Sequence, residues 1–153
     1  MVFDIRGSME IIEGHLAGSG HFLAGAQIGE PKAPPSADGD GLFAAVFMTS
    51  AAVVATTLSH PIESHVVTVR FYQNMLSEPE AEIEMYLANA LSTFIDDLAS
   101  DVDFGGEIRS LDIGGQYSPL SATWGYVDVS GVNFRIVDIA LPITVDDTDA
   151  GFG

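Results

Sequence analysis

The stretch that most constrains this fold is residues 42–58, LFAAVFMTSAAVVATTL, in which 17 consecutive residues carry no charge. A membrane-spanning helix usually needs about 20 predominantly apolar residues. This stretch is shorter, and Thr49, Ser50, Thr56 and Thr57 interrupt it. Its valines and threonines favour strands, because β-branched side chains pack well on a pleated sheet. Residues 42–58 therefore predict two buried strand segments, and no membrane association is expected.

The composition predicts one folded domain. The chain has 153 residues, of which 47% are apolar and 18% are charged, as in globular proteins. This length allows one hydrophobic core and leaves little room for a second, so residues 1–153 are assigned to a single domain. Cysteine is absent, which excludes disulfides and thiolate chemistry.

The charge balance is strongly acidic, with 22 Asp and Glu against 5 Lys and Arg and a net charge of −17. Proteins that grip nucleic acid neutralise phosphates with clustered basic residues. The basic residues here are scattered along the chain: Arg6, Lys32, Arg70, Arg109 and Arg135. Three interpretations of the acidity stay open: a surface past which DNA slides without sticking, ordinary solubility, or a host environment rich in salt.

The first part of the chain predicts a helix followed by a long loop. Residues 4–16 carry apolar side chains at helical spacing, and Asp4 can cap the exposed amides of the first turn. Residues 29–41, GEPKAPPSADGDG, are rich in proline and glycine. Such a composition predicts an exposed irregular loop.

Residues 65–72, HVVTVRFY, have the alternation of a strand, with Val67, Val69 and Phe71 on one face. The preceding residues 61–64, PIES, predict a turn between strands. The segment 50–61 is more apolar than an exposed loop between strands requires. It is compatible with a strand, with a subunit interface or with adaptation to an unusual host environment.

A strand-to-helix corner follows at residues 73–80. Ser77 and Glu80 have the spacing of a capping box, and Pro79 falls in the first turn, where its missing N–H costs nothing. Behind the corner, apolar side chains recur every three or four positions over residues 83–98. This spacing predicts a long amphipathic helix.

The last third of the chain predicts strands. Residues 101–107 predict a turn and residues 107–113 a strand. The segments 122–129 and 132–145 are joined by Ser130-Gly131, a two-residue hairpin signal. Pro142 predicts an edge position or a bulge within the second of them.

These elements together predict the fold class. We expect an α+β domain: a mostly antiparallel sheet with an N-terminal helix and one long amphipathic helix packed on it. Residues 146–153 are acidic, and we expect them to form a flexible tail.

The sequence contains no convincing catalytic, cofactor-binding or metal-binding set. His60 and His65 with Glu63 could hold a metal ion, but ordinary surface histidines are the stronger interpretation. Residues 101–112 place acidic residues at calcium-loop positions, yet Gly105 supplies no side-chain oxygen and a strand is predicted where a helix should follow. No enzyme activity, cofactor or metal is therefore predicted.

Aromatic and arginine side chains near the corner and on a late strand are the candidates for a contact surface, since Trp, Tyr, Met and Arg are enriched at subunit interfaces. The usual fate of such aromatic residues is burial in the core. The candidate interface residues are Arg70, Tyr72, Asn74, Met75, Leu76, Arg109 and Trp124.

Five segments occur in the same order as in a known family: FDIRG (3–7), EPKAPP (30–35), GLFAAVF (41–47), VRFYQNMLSEPEAEI (69–83) and PLSATWGYVDVSGVNFRIVDIALPITVDD (119–147). With them the chain resembles the tail-terminator, or tail-completion, proteins of long non-contractile-tailed bacteriophages (siphoviruses), especially those of actinobacterial phages. The likeness spans nearly the whole chain. Its most specific parts are the R-x-Y-x-N-M-L-x-E-P corner and the hairpin that ends in ALPITV.

The resemblance implies a virion structural protein that forms a homohexameric ring. Such a ring caps the tail tube, ends tail elongation and offers an attachment face to the head-completion or stopper protein at the head–tail junction. The implied partners are the chain itself, the tail-tube protein and the stopper protein. DNA would pass through the lumen only as cargo, with assembly in the host cytoplasm.

Two other classes stay open from the sequence. One is another neck or tail-tube structural protein, which would differ in its position along the particle. The other is a small module that binds a metal or another ligand, for which ion-dependent stabilisation would be expected.

Overall fold

A computed structural model of the chain describes residues 5–34, 42–56, 61–75, 82–100 and 120–146. Within these residues, two helices and five strands follow one another along the chain. They are α1 (Ile5–Ala17), β1 (Gly25–Ile28), β2 (Phe43–Thr56), β3 (Pro61–Asn74), α2 (Ile83–Ser100), β4 (Ser121–Val129) and β5 (Val132–Asp146). Neither helix in this part of the chain is long and apolar enough to cross a membrane.

The strands form one sheet with the order β1-β2-β3-β5-β4. Strand β1 runs parallel to β2, whereas the pairs β2–β3, β3–β5 and β5–β4 are antiparallel. The three central strands are long, with 14 residues in β2, 14 in β3 and 15 in β5. They extend beyond both of their shorter neighbours, β1 with 4 residues and β4 with 9.

Both helices pack on one face of the sheet, which we call the helix face. Helix α1 contributes Ile12 and Leu16 to the core there. Helix α2 buries one stripe of its surface against the same core, because its apolar residues recur at the helical repeat. The α2 members of this stripe are Ile83, Leu87, Ala90, Phe94 and Leu98.

The other side of the sheet, which we call the opposite face, carries a second cluster of buried residues: Phe43, Ala45, Tyr72, Val129, Phe134 and Ile136. The segment that follows β1 reaches this part of the sheet. The hydroxyl of Ser130 donates a hydrogen bond to the carbonyl oxygen of Lys32 at 3.0 Å, and Glu30 lies close enough to Tyr72 to act on it electrostatically. The chain therefore runs from the β1 edge toward the β4–β5 turn.

The predicted fold class is wrong. Strands account for 53% of the described residues, the sheet is mixed, and one of the two helices is short. This differs from a mostly antiparallel sheet on which one long amphipathic helix packs. The difference arises from β1, a strand of four residues that is too short to show a clear sequence pattern, and from strands longer than the typical ~5–6 residues.

Residues 42–58 were predicted to form two buried segments, and this is also wrong. Most of them belong to the single strand β2, whose pairing with β3 shifts register at Met48/Ser50 and at Val53/Ala55. Only its first part is buried, while residues 49–53 are exposed. The predicted turn at 61–64 is wrong as well, since Pro61 begins β3.

The positions of the two predicted helices and of the C-terminal hairpin agree with the structure. Helix α1 covers residues 5–16 of the predicted range 4–16, and α2 begins at Ile83 as predicted. Ser130 and Gly131 link β4 to β5 with φ angles of 50° and 89°, as a type I′ turn requires. Pro142 lies beyond the last β4–β5 pair, Ser121 with Ala140, so β5 is an edge there among the described residues, as expected for proline.

Several predicted features lie outside the described residues. They are the Asp4 cap, most of the loop at 29–41, the capping box at Ser77 and Glu80, the strand at 107–113, the calcium-loop pattern at 101–112, and all but the first residue of the tail at 146–153.

Candidate interaction surface

Three of the seven candidate interface residues lie on one face of β3. Arg70, Tyr72 and Asn74 alternate along the strand and therefore point to the same side of the sheet. Their partners on β5 are Asp138, Ile136 and Phe134 respectively. Arg70 therefore lies beside a charged residue, whereas Tyr72 and Asn74 lie beside apolar residues.

Arg70 forms a bidentate ion pair with Asp138. Its Nε lies 2.6 Å from Oδ1 and its Nη2 lies 3.0 Å from Oδ2. The guanidinium also stacks near the rings of Phe47 and Tyr72, 5.3 and 5.9 Å from their centroids. The hydrogen bonds and negative charge of Asp138 raise the pKa of Arg70 above its ordinary value. Arg70 is thus held in a fixed orientation within the subunit.

Tyr72 and Asn74 are enclosed by the subunit itself, with 2% and 0% of their surfaces exposed. The ring of Tyr72 packs edge to face between Phe43 and Phe134, with both centroid distances at 5.8 Å. Burial raises the pKa of the Tyr72 phenol. A contact of Tyr72 and Asn74 with another subunit stays a prediction. Because both side chains are buried, such a contact would act through the residues that cover them.

Met75 lies where β3 ends. Its amide donates a hydrogen bond to the carbonyl oxygen of Asn133 at 3.1 Å, so the approach to the corner is tied to the start of β5. Leu76 and Arg109, the next two candidates, lie outside the described residues.

Trp124 lies apart from the other candidates, on the helix face of β4. Arg135 of β5 covers it, 5.5 Å from the Trp124 centroid and 4.5 Å from that of Tyr126. The Arg135 Nε donates to Glu84 of α2 at 2.6 Å. This hydrogen bond raises the pKa of Arg135. Arg135 therefore connects the hairpin to the first turn of α2.

Neither Arg135 nor Glu84 was among the residues predicted to form a contact surface. One signal was present, because a two-residue turn at Ser130-Gly131 sets the register of the hairpin and puts Tyr126 opposite Arg135. Nothing in the local sequence places Glu84 there. Its contact with Arg135 spans 51 residues and depends on how α2 packs.

The part of β2 that lies beyond its pairing with β1 forms a second candidate surface. We call residues Phe47–Thr56 the β2 extension. Strand β1 pairs with β2 only as far as Val46, and within the described residues the β2 extension pairs on its other side alone, with β3. The side chain of Val53 is 60% exposed. Among the described residues, no strand therefore pairs with the outer edge of the β2 extension, and its exposed residues include apolar ones such as Val53.

Two histidines, His15 and His65, each contact a carboxylate. His15 Nε2 lies 3.0 Å from Asp97 Oδ2 and links α1 to α2. His65 Nε2 lies 2.9 Å from Glu63 Oε1. Among the described residues no three His, Asp or Glu side chains could hold a metal ion together, and His60 lies outside them.

A small cavity beside His15 and Asp97 is lined mainly by α1, the turn after it and α2. Its volume is about 10 Å³, which is room for about one water molecule. A cavity of this size is too small for an organic substrate.

Comparison with protein families finds no family model that matches this chain, and comparison with curated proteins finds no significant match.

Proposed function

We propose that this chain is a virion structural protein of the tail-terminator type. On this proposal, copies of the chain close into a ring that caps the tail tube of a long-tailed phage. The ring ends tail elongation and provides the attachment face for the head-completion or stopper protein. The basis is the resemblance in five ordered segments, together with one structural relationship between the two most specific of them.

That relationship is the pairing of the corner segment with the hairpin. Residues 70–74 pair one by one with residues 138–134 of β5, and the Met75 amide continues the contact to Asn133. The two segments are about 60 residues apart in the sequence, yet they form adjacent strands. Motifs that match a family only by chance have no reason to lie together, so this adjacency supports the proposal.

The charges of the described residues also agree with a channel for DNA. Arg70 is paired with Asp138 and Arg135 with Glu84, so two of the five basic residues are neutralised within the subunit. With 22 acidic residues in the chain, the surface repels phosphate groups. DNA would pass such a surface without binding to it.

Immunogold electron microscopy of particles from the producing culture tests the proposal. Antibody against this chain should label the head–tail junction only, and prior absorption of the antibody with the purified protein should abolish the label. Label along the tail would instead favour a tail-tube protein. The absence of label on intact and disrupted particles would exclude a virion protein and return attention to a ligand-binding module.

A further inference from the structure

The β2 extension has no charged residue and no proline, two of the features that normally protect an edge strand. Natural proteins blunt exposed edges with charged residues, prolines, bulges or short strands. Here no Asp, Glu, Lys or Arg occurs anywhere from Leu42 to Ile62. Two register shifts divide the strand but leave Ser50–Val53 in regular pairing with β3. These four residues are all exposed.

Strand β4, at the other edge of the sheet, also has few charged residues. Strand β4 pairs with β5 on one side, and within the described residues no strand covers its other side. Its exposed side chains are Ser121, Thr123, Tyr126 and Asp128. Only Asp128 carries a charge, at the end next to the turn.

The acidity of the chain makes these two edges informative, because Asp128 is the one charged residue within the β2 extension and β4. Two copies that each carry a net charge of −17 repel one another. A stable contact between copies must therefore bring together surfaces with few acidic groups. The β2 extension and the outer side of β4 meet this condition, and they lie at opposite edges of one sheet.

We infer that Ser50–Val53 of one copy pairs with the outer edge of β4 in a second copy of this chain. This contact is head to tail, so each subunit uses both edges and a ring can close. A contact between two β2 extensions would instead stop at a dimer. This inference rests on the proposed function, which supplies the ring. It goes beyond that function by naming the two strand edges that join neighbouring subunits.

The test uses two edge variants that are each expected to fold. In the first, Ala51→Lys and Val53→Lys place lysines on the β2 extension. In the second, Ser121→Lys and Thr123→Lys place them on β4. The added lysines lower the net negative charge and so reduce the repulsion between copies of the chain. A loss of assembly would therefore result from the disrupted strand edge and not from increased repulsion. The control is Leu23→Lys with Met85→Lys, at side chains that are 81% and 56% exposed and lie outside the strands.

Mass photometry and analytical ultracentrifugation would measure assembly, with circular dichroism to verify folding. We expect the wild type and the control to form rings and each edge variant alone to remain at the monomer mass of 16.2 kDa. An equal mixture of the two edge variants should form a dimer and nothing larger, because one intact β2 edge and one intact β4 edge remain between them.

Other outcomes overturn the inference in distinguishable ways. Rings formed by either edge variant would place the contact elsewhere and leave the proposed function standing. A dimer of the β4 variant alone would indicate contact between two β2 extensions. A wild type that stays monomeric even at about 1 M salt, where the Debye length is ~3 Å, would contradict both proposals.

Hydrogen exchange on the wild type provides a second test that needs no variant. Amides of residues 50–53 and 121–129 should exchange more slowly in the assembled ring than in dilute monomer. Equal exchange in both states would overturn the inference.

Discussion

Arg70 and Asp138 lie opposite each other on β3 and β5 and form an ion pair with two contacts of 2.6 and 3.0 Å. Their side chains are 17% and 31% exposed. The pair therefore lies between the two limits of a solvated surface pair and a fully buried one. It joins the two segments on which the resemblance depends most.

Replacement of Arg70 by methionine should lower the free energy of unfolding by about 1–3 kcal/mol, because Asp138 is left without its charged partner. The double variant Arg70→Met with Asp138→Leu should recover part of this loss, since both charges are then absent. Urea unfolding of the two single variants and the double variant measures the coupling. Strictly additive losses would mean that the pair contributes nothing beyond its separate side chains.

The buried phenol of Tyr72 should make the protein less stable in alkali. Burial raises the folded-state pKa of Tyr72, whereas in the unfolded chain it titrates at about 10. The stability linked to its proton is therefore fully present below pH ~10 and decreases as the pH rises above that value. Urea midpoints measured across this range should fall more steeply for the wild type than for Tyr72→Phe. The variant Tyr126→Phe, at a side chain that is 61% exposed, should retain the steep fall.

Gly131 and Gly14 offer a matched pair of glycine substitutions. A methyl group at either position meets nothing within 4 Å, but Gly131 has a φ of +89° and Gly14 lies within α1. Gly131→Ala should cost about 1–2 kcal/mol, the penalty of the left-handed conformation for a residue with Cβ. Gly14→Ala should instead stabilise by about 0.5–1 kcal/mol through helix propensity. Thermal unfolding should show a lower melting temperature for Gly131→Ala and a higher one for Gly14→Ala. A melting temperature that rises in both variants would contradict the assigned turn.

Arg135 should shield Trp124, the only tryptophan in the chain, from solvent. In Arg135→Ala, acrylamide should quench the tryptophan fluorescence more efficiently and the emission should move to longer wavelength. Arg70→Ala is the control, because Arg70 lies on the opposite face of the sheet and should leave quenching unchanged while the protein stays folded. Equal quenching in the wild type and Arg135→Ala would mean that Arg135 does not cover the ring in solution.

The features predicted correctly from the sequence are those with short-range causes. The helices follow from apolar residues at the helical repeat, as from Ile83 to Leu98. The hairpin follows from Ser130-Gly131, and its register can be counted outward from the turn. The alternation at Val67, Val69 and Phe71 correctly separates the helix face from the opposite face.

The contact between subunits at the candidate interface residues stays a prediction. Arg70 was selected for its residue type, yet its partner Asp138 lies 68 residues away and was not selected. Tyr72 and Asn74 were selected for a contact between subunits, but each is covered within its own subunit. Residue type alone does not distinguish an aromatic group on the surface from one in the core.

The sequence by itself determined which segments become helices and where the C-terminal hairpin turns, because those choices depend on residues within a few positions of one another. Only the tertiary structure decided that β1 pairs in parallel with β2 and makes the sheet mixed. It also decided that Phe43–Val46 are buried while residues 49–53 of the same uncharged strand are exposed. Burial depends on which other segments of the chain pack against a strand. The residues of the strand itself do not show where that packing ends.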